Sequence, residues 1–419
     1  MSMSAYRRRI FVSIEVFAIL IVSAGLCEIA LHVLNLPPAP TVGWKWETSP
    51  YKSDLYASKS DVNQLGLRGR PINYAKDDFV VVLVGDSYVE AGFQPKERMP
   101  ERVLEDILKT KHRRDDIKVF SVASAGWGQD QEVLALSAYL AEFRADLVLM
   151  WLTPINDYWE NGNIDRSVTK VAGRIKPTFD LRTGDIETPS FRSKLWLLLE
   201  ALSARLHFGQ GGTIEQLYLD DWLNHTPRSS LAPTSASSCP ATEVGQLDIV
   251  DSSYPQITAV TGEDVANGRS HFSRFIRPLG ARELYQIDIT HRLIQKARDV
   301  AKRSGAQFKV LNTFDGELDK ALKRVSCVRD ATSGDLYKTD FSDMAFDFKD
   351  DAFRDVVLRV NISADKPTLV SSRDWHLNHE GNLVAMGALA DRLMSDGLLE
   401  RAGERAATKT SKRGPDLLQ

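Results

Sequence analysis

Apolar and polar positions fall into blocks along the chain. The first apolar block, residues 10–36, reads IFVSIEVFAILIVSAGLCEIALHVLNL and follows Arg7, Arg8 and Arg9. It is long enough to cross a bilayer as one helix, and the arginines before it predict that its start stays cytoplasmic and the body is exported. Glu15 and Glu28 interrupt it, at places from which a charge can reach the headgroups. An uncleaved anchor over 1–36 is expected; the alternative is a cleaved signal peptide with Ser23, Ala24 and Gly25 as its cleavage region. A lipoprotein cysteine at Cys27 is disfavoured, because the larger Leu26 precedes it.

Pro37, Pro38 and Pro40 end that helix and open a polar lead-in, 37–78, which carries the segment NQLGLRG. From Phe79 the pattern changes to short, wholly apolar runs separated by helix-period segments. Strands are predicted at 79–84, 117–122 and 146–152, and helices at about 99–112 and 129–143. Runs that are apolar at every position belong to a parallel sheet covered on both faces. The rhythm stops near Glu160 and resumes with a helix at 280–303, closed by Gly305, and a strand at 306–312. Residues 160–278 are therefore an insertion: a hairpin in KPTFDLRTGDIETP, an amphipathic helix in SKLWLLLEALSARL, and a loop or lid over about 226–270. A last helix is predicted at 381–396 and a tail at 397–419.

Composition removes several classes. Lys+Arg 53 against Asp+Glu 56 leaves a net charge of -3 over 419 residues, so a nucleic-acid partner held by a basic surface is not expected. Three cysteines without a CxxC exclude zinc-finger, iron–sulfur and disulfide-dense scaffolds. In an oxidising space Cys239 and Cys327 could equally form a disulfide or stay as two buried thiols. A single apolar block excludes a polytopic transporter.

The candidate chemistry stands at the ends of the predicted strands. Gly85-Asp86-Ser87 directly follows the first one and turns into a helix. That places a hydroxyl at the carboxyl edge of the sheet, where ligands bind in open α/β folds, beside helix N–H groups that favour an oxyanion. The second strand runs into SVASAGWGQDQE, where Gly126 offers a backbone N–H, and the third into WLTPINDYW, where Asn156 offers an amide. Donors converging on one developing negative oxygen are what acyl transfer requires. Each taken alone also reads as a helix cap or a turn residue. Before the last helix, SRDWHLNHEGN sets Asp374 two residues ahead of His376, so the carboxylate can fix the imidazole tautomer while the other ring nitrogen takes a serine proton. Asp374, His376 and His379 are also a metal-like trio, but without HExxH spacing; no metal and no cofactor are expected, and His379 is assigned to capping or packing the final helix.

In this order the four blocks resemble those of the SGNH, or GDSL-type, hydrolase family over about 79–160 and 280–396. The resemblance implies a flavodoxin-like three-layer α/β sandwich, the SGNH hydrolase fold, carrying the insertion and the N-terminal transmembrane helix. It also implies a catalytic set of Ser87, Asp374 and His376, with an oxyanion site made by the backbone of Ser87 and Gly126 and by Asn156. The closing block departs from the more usual Asp-x-x-His and is similar to that of the alginate O-acetyltransferase-like branch. Ser124 stands where an Asn often precedes the block glycine. NQLGLRG resembles a segment of membrane-anchored bacterial members, which implies a structural role with Arg68 near the site.

Trp127, Trp159 and Trp375 flank these blocks, and with Asp86 they are the candidate substrate-binding residues. Aromatic faces around an ester site suit a sugar ring, and the packing of loops accounts for them equally well. The expected activity is a serine esterase on an O-acyl, chiefly O-acetyl, ester of an envelope or secreted carbohydrate, with a lipid ester as the competing substrate. The alternatives are an O-acetyltransferase on a polysaccharide using the same residues, and an inactive carbohydrate-binding or assembly module.

Overall fold

The computed structural model describes residues 3–34, 36, 41–42, 62–92, 94–162, 174–175, 178–179, 186–187, 193–208, 231–239, 273–314, 326–329, 334–340, 353, 355–362 and 376–400. The chain divides into two compact units, one of 1–43, 164–178 and 186–226, the other of 44–163, 179–185 and 227–419.

The larger unit is built on five parallel strands: β1 (Phe79–Gly85), β2 (Ile117–Ala123), β3 (Leu147–Leu152), β4 (Gln307–Phe314) and β5 (Val357–Asn361). They lie in the order β2-β1-β3-β4-β5. This is the flavodoxin-like order, and its switch point lies between β1 and β3. Alternate side chains of the apolar runs enter two separate cores. Val80, Val82 and Val84 pack with Val133 and Leu136 of α4 (Gln129–Tyr139) and with Leu293 and Ala297 of α7 (Ala281–Arg303). Val81 and Leu83 pack with Leu104 and Leu108 of α3 (Pro100–His112) and with Met386 and Leu389 of α8 (His379–Ser395). Three layers follow from strands that are buried on both faces, as the sequence pattern predicts.

Local chemistry sets the helix ends. Pro100 stands at the first position of α3, where a missing N–H costs nothing. The side chain of Asn378 caps α8 by accepting from Gly381 N at 3.0 Å. Beyond α8, Leu398 and Leu399 are buried in the second core, so the domain runs past the 396 boundary drawn from sequence. In the insertion, two-residue strands stand at Thr178–Phe179 and Ile186–Glu187, near the ends of the predicted hairpin. Cys239 and Cys327 are bonded as a disulfide that spans 88 residues, which resolves the choice left open by the sequence.

The smaller unit contains α1 (Met3–Val33) and α6 (Lys194–Phe208). Among the described residues one helix, Tyr6–Val33, is long and apolar enough to cross a membrane, and none of its most apolar window is buried.

Candidate active site

Because all five strands are parallel, the segments that follow β1, β2 and β3 leave from the same edge. Gly85 pairs with Ala123 in register, so the turn after β1 and the loop after β2 emerge side by side. Gly85 is required by space: a Cβ there would stand 2.5 Å from Cγ2 of Val89, where the chain doubles back from strand to helix. Asp86 then caps the one-turn helix α2 (Ser87–Glu90), its carboxylate accepting from Tyr88 N at 2.9 Å. Ser87 is left half-exposed at the helix start, and its Oγ lies 2.7 Å from His376 Nε2. The two residues are 289 positions apart in sequence.

Several contacts hold this pair. The Tyr88 ring packs against the His376 imidazole at 5.3 Å between centroids and against Trp151 at 5.9 Å. Gln94 Nε2 donates to the carbonyl of Leu377 at 2.6 Å, tying the loop after α2 to the histidine segment. Arg68, from the lead-in, closes the other end of α2. Its guanidinium donates to the carbonyls of Glu90 and Ala91, each at 2.6 Å, and to that of Gln94. Ala91 is left-handed at φ 46°, so these carbonyls turn outward toward the arginine. The structural role implied for NQLGLRG is thus a clamp on the helix that begins with Ser87.

The loop after β2 is a turn closed by Trp127 N donating to Ser124 O at 3.2 Å. Gly126 sits at its third position with φ 76°, where glycine is favoured. A Cβ on Gly126 would meet nothing within 4 Å, so conformation and not space selects the residue. The preceding amide, Ala125 N, donates to Glu90 Oε2 at 2.6 Å. Burial pushes the Glu90 carboxyl above its ordinary acidity range, against the opposing pull of the Ala125 N–H and the Arg68 charge. Glu90 was not among the candidates from sequence. Its position three residues after the serine, on the same helix, was the available signal.

After β3, Asn156 lies in the first turn of α5 (Pro154–Gly162), at the same edge. Asp157 is fully buried and accepts from Thr153 N at 2.6 Å, which fixes the start of that helix. The side chain of Asn156, and all of Asp374 and Trp375, lie outside the described residues. His379 is the first residue of α8. Among the described residues no group of three His, Cys, Asp or Glu side chains is placed to hold a metal.

Two expectations are corrected. Asp86 is fully buried and its carboxylate is committed to Tyr88 N, so it has no face to offer a substrate. Trp127 is also fully buried, in the core that holds Leu67, Phe120 and Val133, and it cannot stack on a sugar ring. Trp159 is half-buried.

No protein-family model and no curated protein matches the chain. Among solved structures the fold is similar to the acetyl xylan esterase AlAXEase, with 12% identity, a TM-score of 0.24, and cover of 76% of this chain and 99% of that one. It is also similar to LAE5, an alpha/beta hydrolase enzyme from the metagenome of Lake Arreo, Spain (11%, 0.25, 78% and 98%), and to a GDSL-like lipase from Parabacteroides merdae (11%, 0.25, 78% and 99%).

Proposed function

We propose that the chain is a serine esterase of the SGNH type, anchored by α1 with its larger unit outside the cytoplasm. The observation that carries this reading is the 2.7 Å approach of His376 Nε2 to Ser87 Oγ, at the carboxyl edge of the sheet and beside its switch point. A serine and a histidine brought together there from opposite ends of the chain form a nucleophile and its base.

In the proposed reaction Ser87 Oγ attacks the ester carbonyl as its proton passes to His376 Nε2. The carbonyl π electrons move to the oxygen, which the backbone N–H groups of Ser87 and Gly126 and the Asn156 amide receive. Collapse of the intermediate expels the alcohol, which takes the proton back from His376 and leaves an acyl-serine. Water, deprotonated by the same imidazole, then releases the acid. Asp374 holds the imidazole by its other nitrogen.

The substrate proposed is an O-acetyl ester on an envelope or secreted carbohydrate, with Trp159 and Trp375 beside the sugar. Export is supported by the arginines before α1 and, independently, by the Cys239–Cys327 disulfide, a bond that persists in oxidising compartments. The test is acetate release by the full-length protein from an acetylated xylan or alginate, set beside a long-chain acylglycerol. Release from the carbohydrate that disappears in Ser87→Ala supports the reading. Turnover of the acylglycerol alone overturns the substrate class, and release that Ser87→Ala leaves unchanged overturns the site.

A further inference from the structure

Glu28 is the one acidic residue deep in the second half of the apolar helix, and its partners lie on α6. Its carboxylate accepts from Lys194 N at 2.8 Å, Leu195 N at 2.9 Å and Ser193 Oγ at 2.9 Å, while His32 Nε2 lies 2.9 Å away, one turn further along α1. A carboxylate on the unpaired N–H groups of a helix start is satisfied both by hydrogen bonds and by the helix dipole. The first turn of α6 is therefore fixed to α1 at position 28.

That position has a definite depth. From Arg9 to Glu28 a helix rises about 28 Å, close to the hydrocarbon thickness of about 30 Å. With the arginines at the cytoplasmic headgroups, Glu28 reaches the opposite interface, and α6 begins there. Its described side chains are sorted by face. Lys194 and Leu197 are buried, whereas Trp196, Leu199 and Leu202 are 54%, 51% and 55% exposed. Their spacing of three places these three large apolar groups on one exposed stripe, next to a helix whose own apolar surface is uncovered. Tryptophan at the head of such a stripe suits the headgroup boundary, where an apolar ring and an N–H are both accommodated.

We infer that α6 is a second membrane-contacting element, lying in the outer interface with Trp196, Leu199 and Leu202 in the lipid, and locked to the anchor through Glu28. The occupant of its exposed stripe is the bilayer that α1 crosses. The inference rests on the anchored reading of α1.

The full-length protein is placed in nanodiscs that hold one copy each, with nitroxide labels at Phe17→Cys, Leu199→Cys, Leu202→Cys and Lys302→Cys, each in a Cys27→Ser background without reductant. Collisions with oxygen report lipid, and collisions with a water-soluble nickel chelate report water. Loss of nickel collisions with gain of oxygen collisions at 17, 199 and 202, but not at 302, is the expected result. If 17 reports lipid while 199 and 202 behave like 302, α6 is a water-exposed helix and the inference fails with the anchor intact. If 199 and 202 are shielded from both reagents, protein covers the stripe and the inference fails. If 17 itself reports water, the anchored reading falls and the inference falls with it.

Discussion

Ser87 and His376 meet at 2.7 Å although each is delivered by a different layer connection: the serine by the turn out of β1, the histidine by the segment that leads into α8. If this contact is the nucleophile–base pair, both partners act as one unit. Ser87→Ala and His376→Ala should each lower kcat by at least ~10³-fold, and the double variant should lose little more than either single one. Steady-state hydrolysis of p-nitrophenyl acetate measures this. A covalent fluorophosphonate adduct on Ser87, seen by mass spectrometry, checks the nucleophile without any assumption about substrate.

Glu90 is expected to act as a positioning residue. Its carboxyl accepts the Ala125 N–H and so orients the turn that carries Gly126. In Glu90→Gln the amide oxygen still accepts, and kcat should stay within about threefold of the parent. In Glu90→Ala a partly buried N–H loses its partner, which costs up to about 1 kcal/mol, and kcat should fall while KM stays near its original value. Equal losses of kcat in both variants would exclude this role.

Two buried glutamates give the stability a definite slope with pH. Burial raises the carboxyls of Glu90 and Glu101 above their ordinary 4.5. The folded chain therefore binds more protons than the unfolded one above pH 4.5, and these groups withdraw stability as pH rises from there toward their folded values. Glu101→Gln, which keeps an acceptor for the Arg70 N–H, should leave the Tm near pH 4 unchanged and raise it at pH 8. Thermal unfolding across that range checks the sign.

The disulfide closes a loop of 88 residues. Replacing Cys239 and Cys327 together by serine should lower unfolding free energy by roughly 2–5 kcal/mol, read from the denaturant midpoint. Cys27→Ser, at an exposed position outside the bond, should change it by less than about 0.5 kcal/mol.

The sheet was legible because a strand buried on both faces has no polar positions: Phe79–Gly85 and Leu147–Leu152 announce themselves as unbroken apolar runs. The placement of Ser87 and Gly126 side by side was legible for a related reason, since strand ends in a parallel sheet share one edge. Trp127 misled because an aromatic beside a site residue looks like a binding surface, and only the packing of Leu67 and Phe120 around it shows that burial took precedence. Glu90 was missed for the opposite reason. A glutamate on a short helix reads as solvated until Arg68 and Ala125, distant in sequence, arrive on either side of it. The pairing of Glu28 with α6 joins residues 166 and 167 positions apart, which no local pattern records.

Arg68 grips three main-chain carbonyls at the end of the helix that begins with Ser87. These three bonds follow the path of the backbone at 90, 91 and 94. For anyone trimming the chain to a soluble fragment, the first strand at Phe79 is a misleading landmark. A cut placed between Arg68 and Phe79 would spare the whole sheet and discard the piece that holds the end of Ser87's helix.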